Sequence, residues 1–211
     1  MAIVHQHLIL GSSSVSRDMV LKKLGLPFLK ISPEIDEAAL PGEAPEAHVL
    51  RLAVEKARKV AELMQDNGDE YCPCRQYWII ASDQVALLNG QLVSKPDGHE
   101  DAVQQLRQSS GQSITFYNGL CLLSFASGQS WTALDTTTTH YRDFSEAEIE
   151  YYLRHDKPYS CAGSLKSEGL GIALIKKIDS QDPNSLIGLP LIKLCELFEQ
   201  AGVGLLSGRL G

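Results

Sequence analysis

The sequence predicts an α/β protein. An opening strand, helix, strand pattern runs through "LILGSSSVSRDMVLKKLGLPFLKIS". A long stripe at helical spacing leads into an apolar strand, and two long β-rich runs precede a further helix.

Leu8 to Leu10 form a short apolar run. Val15 to Leu24 follow at helical spacing, with Met19, Val20, Leu21 and Leu24 as its apolar residues and Gly25 closing it. "PFLKIS" is the second strand, and "SPEIDEAALPGEAPE" is too polar and proline-rich to be anything but a loop. From Glu46 to Met64 the residues Val49, Ala53, Lys56, Val60 and Leu63 fall on one helical stripe. "DNGDEYCPCRQ", from Asp66 to Gln76, is a loop, and "YWIIASDQVALL" is a buried strand interrupted by Ser82, Asp83 and Gln84. Asn89 and Gly90 supply a hairpin turn into "QLVSK".

Asp97 and Glu100 have capping-box spacing for a helix reaching about Gln108. "SITFYNGLCLLSF" and "WTALDTTTTHYRDF" are strands joined by "ASGQ", and the threonine run suits a strand better than a linker. Ser145 and Glu148 make a second capping box, opening the helix "EAEIEYYLRH". "AGSLKSEGLGIALIKKI" is strand-like with a glycine-rich start, and "PLIKLCELFEQAG" is a terminal helix. No internal repeat and no linker divides the 211 residues, which are expected to form a single domain.

A hydrophobic content of 44% supports a substantial core, and a net charge of -7 disfavours a nucleic-acid binder that works by broad phosphate neutralisation. There is no apolar run long enough to span a bilayer and no signal-peptide pattern, so a cytoplasmic protein without membrane partners is expected. Cys121, Cys161 and Cys195 sit singly in apolar surroundings and are expected to be reduced thiols. Cys72 and Cys74 lack the second ligand pair of a zinc site, and His5 and His7 lie on an opening strand rather than in a metal centre.

The informative residues are charges in unusual places. Asp83 interrupts an apolar strand, where a carboxylate needs a cation or hydrogen bonds to offset lost solvation. Lys56 sits on the apolar seam of a helix. Structural accounts of each exist, since an aspartate can cap a turn or pair with an arginine and a lysine can snorkel. Lys95 ends the hairpin strand, and Glu34, Asp36 and Glu37 crowd one loop, offering the hard oxygen ligands that Mg2+ or Mn2+ takes. Arg17 occupies the first turn of a helix, whose free N–H groups favour an anion. Together these are the parts that polyphosphate chemistry needs. Walker, GxGxxG, GxSxG and HExxH patterns are absent.

In this combination the chain resembles the Maf family of nucleoside triphosphate pyrophosphatases. "LILGSSSVSRDMVLKKLGLPF", "PEIDE", "RLAVEKA", "ASDQV", "SKP", "TFYNGL", "SEAEIEYYL", "CAGSLKSEGLG" and "DPNSLIGLPL" occur in that family's order, over nearly the whole chain. The resemblance implies an elongated mixed sheet with flanking helices and two lobes around a cleft, similar to the inosine triphosphatases, often as a homodimer using a divalent cation. It implies cleavage between the α- and β-phosphates. By the same resemblance Ser12 and Arg17 match the phosphate-binding turn. Glu37, Lys56, Asp83 and Lys95 match the catalytic set, with Asp83 as proton acceptor and Asp83 and Glu37 as metal ligands.

Ser16, Gln84 and Glu168 differ from the family's dTTP/UTP branch, and "SDQV" together with "KSEG" resembles the branch acting on 7-methyl-GTP, although that branch often has a bulky residue where Ser16 stands. A carboxylate at Glu168 suits guanine's N1–H and amino donors and the positive charge that 7-methylation adds, while a pyrimidine carbonyl would be repelled. A pyrimidine pyrophosphatase, or a nucleotide-sensing regulator of cell division with no turnover, is the alternative.

Overall fold

The structure, a computed structural model, describes residues 7–67, 71 and 76–206. Cys72, Cys74, His5 and most of the loop from Asp66 to Gln76 therefore lie outside the described residues. Among the described residues seven strands and five α-helices follow in the order β1 (His7–Leu10), α1 (Val15–Lys22), β2 (Phe28–Lys30), α2 (Pro45–Asp66), β3 (Tyr77–Leu88), β4 (Gln91–Val93), α3 (His99–Ser109), β5 (Ser113–Ser124), β6 (Ser130–Tyr141), α4 (Glu146–Asp156), β7 (Ile175–Asp179) and α5 (Leu191–Gln200). The sheet order is β2-β1-β3-β5-β6-β7, with β4 paired to β3. β1 runs parallel to β2 and β3, whereas β3/β4 and β6/β7 are antiparallel, so the sheet is mixed. Among the described residues no helix is long and apolar enough to cross a membrane.

The chain folds as two compact units. The first takes the residues up to Asp83, 118–135 and those from Gly188 onward, and the second takes Gln84–Tyr117 and Thr136–Ile187. In the first, the stripe of α2 buries Ala53, Ala57, Val60 and Met64 against Ile9, Ile79, Ala81, Cys121 and Leu123 of β1, β3 and β5. The stripe ends on Met64 rather than on Leu63, which is only half-buried. The close seating of α2 requires Gly119 in β5, because a Cβ there would run into the Val49 carbonyl and the Leu50 amide. On α1 the buried face carries Val20, Leu21 and Asp18, while Met19 is exposed. Asp18 tolerates burial because Lys22 and Lys30 lie 2.6 and 3.4 Å from its carboxylate.

In the second unit α3 and α4 cover the strands, and Leu106, Ile149, Tyr152 and Leu153 pack with Ala86, Leu88, Ile114, Phe116 and Tyr141. Asn89 and Gly90 have φ of 51° and 77°, the left-handed pair that a tight hairpin turn demands.

Two expectations fail here. Asp97 does not cap α3: Gly98 is the N-cap residue without a side-chain hydrogen bond, and the Asp101 carboxylate accepts the Asp97 N–H at 3.1 Å. The helix begins one residue later than the capping-box spacing implies, which puts Asp101 rather than Glu100 at the third helical position and hands the free N–H to it. The glycine-rich segment is also not a strand at its start. Ala162–Ser164 and Leu170–Leu174 are 3-10 turns and only Ile175–Asp179 is extended. Gly163 and Ser164 adopt φ of 63° and 53°, and the Tyr152 hydroxyl donates to the Ser164 carbonyl and accepts from the Lys166 N–H at 2.9 Å each, tying the segment to α4 instead. The capping box of α4 forms as predicted, with the Glu148 carboxylate accepting from the Ser145 N–H at 2.8 Å.

Gly119→Ala should destabilise the protein by about 3 kcal/mol, as an overpacking contact with main chain rather than with a movable side chain, which urea denaturation will measure. The Ser145 N–H, followed by Arg142 and the Ser145 hydroxyl, pulls the Glu148 carboxyl down from 4.5 to about 2. Because the folded value is depressed, the stabilisation is present above pH 4.5 and is lost as pH falls toward 2. The stability difference between the wild type and Glu148→Gln should shrink over that window in urea titrations at successive pH values.

Candidate active site

The turn after β1 is built from serines. Ser12 is buried, and its hydroxyl accepts the Ser14 N–H at 3.1 Å and an Arg17 Nη1 hydrogen at 3.5 Å. Ser14 is the N-cap of α1 and accepts from the Arg17 N–H at 3.3 Å. Arg17 is half-buried and donates from Nε to the Gly188 carbonyl at 3.0 Å. Burial lowers its pKa, and the negative charges of Asp83 and Glu37 work against that shift. The Gly188 carbonyl accepts a second hydrogen bond, from the Ser82 hydroxyl at 2.9 Å. Gly188 and Ser82 were not candidates from the sequence. A backbone carbonyl that receives two side chains leaves no trace in residue type.

Lys56 and Asp83 form the centre. Lys56 is 6% exposed and Asp83 7%, and Lys56 Nζ lies 2.6 Å from Asp83 Oδ1. The same ammonium lies 2.7 Å from Glu37 Oε1, whose side chain is more than half exposed. Removing a lysine and an aspartate from water is costly, and only close, well-directed partners offset it. The anomaly at Asp83 is thus resolved by a lysine, not by a turn cap or a structural arginine. Ser12, Arg17, Glu37, Lys56 and Asp83 therefore share the first unit, where two cations face two carboxylates. Ser16 is half-buried in the first turn of α1, beside Arg17.

Gln84, Lys95 and Glu168 belong to the second unit. The Gln84 amide donates to the Ser185 and Leu186 carbonyls at 3.2 and 3.3 Å, which fixes its orientation. Lys95 and Glu168 both lie within electrostatic reach of Cys161. Burial pushes that thiol's pKa up, Glu168 adds to the rise, and Lys166 and Lys95 oppose it. The raised pKa keeps Cys161 a neutral thiol.

Among the described residues no three His, Cys, Asp or Glu side chains gather as ligands for one ion. Asp83 and Glu37 do fit a share of such a site. Their oxygens converge on one ammonium, and carboxylate oxygens suit Mg2+ or Mn2+, which commonly take one or two protein carboxylates and complete their shell with phosphate and water.

A family model described as Maf-like protein matches residues 7–201. A 7-methyl-GTP pyrophosphatase of Nitrosococcus oceani is 48% identical over 195 residues, covering 92% of this chain and 93% of that protein. Proteins of the same description from a Polaromonas species and from Vibrio vulnificus are 45% and 42% identical, covering 96% and 95% of this chain and 88% and 97% of their own. The solved Staphylococcus aureus Ham1 protein aligns with a TM-score of 0.41 at 15% identity, over 65% of this chain and 72% of that one, too loosely to bear on function. With the family model spanning nearly all of its length and full-length relatives at this identity, the chain belongs to the Maf family.

Proposed function

We propose that this chain is a nucleoside triphosphate pyrophosphatase that hydrolyses 7-methyl-GTP to 7-methyl-GMP and diphosphate. The observation that carries the reading is the buried Lys56 ammonium holding Asp83 and Glu37 together beside Arg17, and the names of the relatives agree with it. Residues 1–211 act as one functional domain, cytoplasmic and without nucleic-acid or membrane partners, and a homodimer is part of the reading.

In the proposed reaction a water attacks the α-phosphorus and the bond from that phosphorus to the bridging oxygen of the β-phosphate breaks. Asp83 takes the proton of the attacking water, and the diphosphate leaves with the bridging oxygen. Asp83 and Glu37 would hold Mg2+ or Mn2+, which when bound supplies charge neutralisation at the phosphate oxygens. Lys56 and Arg17 stabilise the charge that develops on the transferring phosphate, and Lys95 adds to it. The Ser12 hydroxyl donates to a phosphate oxygen. Gln84 and Glu168 read the base: a carboxylate accepts from the donors on guanine's Watson–Crick edge and favours a methylated, positively charged ring. Ser16 leaves Arg17 as the cation of the serine turn.

Asp83→Asn should lower kcat by about 1,000-fold while circular dichroism remains that of the wild type, as expected when a general base is neutralised by an isostere. Turnover near the wild-type rate in saturating Mg2+ would assign the base elsewhere. A diphosphate-release panel of 7-methyl-GTP, GTP, dTTP and UTP should give the highest kcat/KM for 7-methyl-GTP. Glu168→Gln should lower its advantage over UTP by at least about 10-fold, the worth of one charged hydrogen bond. A pyrimidine preference in the wild type would overturn the base assignment, and tight nucleotide binding without diphosphate release would favour a sensor.

A further inference from the structure

Glu37 reaches Lys56 from a loop with no regular secondary structure, and its side chain is 57% exposed. Something other than burial has to hold it there. The loop is gripped by Arg51 of α2. Arg51 Nε lies 2.6 Å from Glu43 Oε1 and Nη2 lies 2.7 Å from Glu43 Oε2, a two-pronged pair, and Nη2 also donates to the Ala38 carbonyl at 3.1 Å. Glu43 in turn accepts the Leu40 N–H at 3.0 Å and meets His48 Nδ1 at 2.9 Å. Its carboxylate is largely covered, and the Arg51 guanidinium, ahead of the Leu40 N–H and His48, holds its pKa well below the usual range. Asp36 closes the other side of Glu37 by accepting the Ala38 N–H at 2.9 Å.

The grip therefore falls on the main chain directly after Glu37, and it comes from the same helix that carries Lys56. A rigid helix presents both Arg51 and Lys56, so the distance between the anchored Ala38 carbonyl and the Lys56 ammonium is set by helix geometry.

We propose that Arg51, acting through Glu43 and the Ala38 carbonyl, is a positioning residue that holds Glu37 at Lys56 for the reaction. Arg51 itself touches no substrate, and the inference rests on the pyrophosphatase reading. A merely structural ion pair would stabilise the chain with no special link to Glu37. A positioning pair has its effect only while Glu37 has a carboxylate to position.

The experiment compares the wild type, Arg51→Gln, Glu37→Gln and the double variant in 7-methyl-GTP hydrolysis with Mg2+, together with amide hydrogen exchange of residues 36–43. Arg51→Gln should lower kcat/KM by about 10-fold, the scale of a displaced catalytic group. In the Glu37→Gln background the same change should alter kcat/KM by less than about 2-fold, because two residues on one route do not act additively. Exchange at Ala38 and Leu40 should speed up in Arg51→Gln. Arg51→Lys should not restore kcat/KM, since a point charge cannot span both Glu43 oxygens and the Ala38 carbonyl.

Losses that multiply in the double variant, unchanged exchange, or full rescue by lysine would each overturn the proposal. Glu43→Gln keeps the side-chain shape and should show the same coupling, which covers a failure of Arg51→Gln to fold. If the wild type releases no diphosphate from any nucleotide, the activity reading falls and exchange alone decides whether Arg51 fixes the loop.

Discussion

The interaction on which the first unit depends is the ammonium of Lys56 set into the apolar stripe of α2. A lysine at that depth is unfavourable unless negative partners come to it, and they come from two directions. Asp83 arrives from the middle of β3 and Glu37 from an irregular loop. Once the three meet, the phase of α2, the register of β3 and the path of the loop are tied to each other, since moving any of them strands a charge. The cluster is thus a constraint on folding as much as it is the centre of the proposed chemistry.

Arg17 extends the same logic. Its guanidinium gives up water in exchange for the Gly188 carbonyl and the Ser12 hydroxyl, with the two carboxylates near enough to favour its charge. Two cations against two carboxylates leave the cluster close to neutral. In the proposed reaction a triphosphate brings several negative charges, more than this balance can absorb, and the proposed divalent cation is the complement. The carboxylates that stabilise the lysine and arginine are therefore also the groups through which such an ion would be held.

Much of this was legible in the sequence, for identifiable reasons. β3 and the hairpin at Asn89 and Gly90 followed from apolar continuity and a turn dipeptide, both local signals. Lys56 and Asp83 stood out because charge on an apolar pattern is conspicuous, although nothing in their spacing indicated that they would bond each other. Other features were invisible because they are not local. The cap of α3 failed by a shift of one residue that pattern alone does not fix. The turn at Ala162–Ser164 is tied to Tyr152 and the turn at Leu170–Leu174 to Asp156, both residues of another helix. Arg51 and Glu43 carried no signal in the sequence, because their pairing depends on the loop between β2 and α2 folding back onto the helix.

The glycine at 119 has a reach beyond its own contact. It lets α2 lie with its backbone against β5 at Val49, about two helical turns before Lys56, and helices are stiff over that length. Packing at 119 therefore bears on where α2 carries Lys56 relative to the strands. A single methyl group added there would press on the main chain that carries Lys56, so the placement of the charged cluster is partly written into a residue that has no functional group.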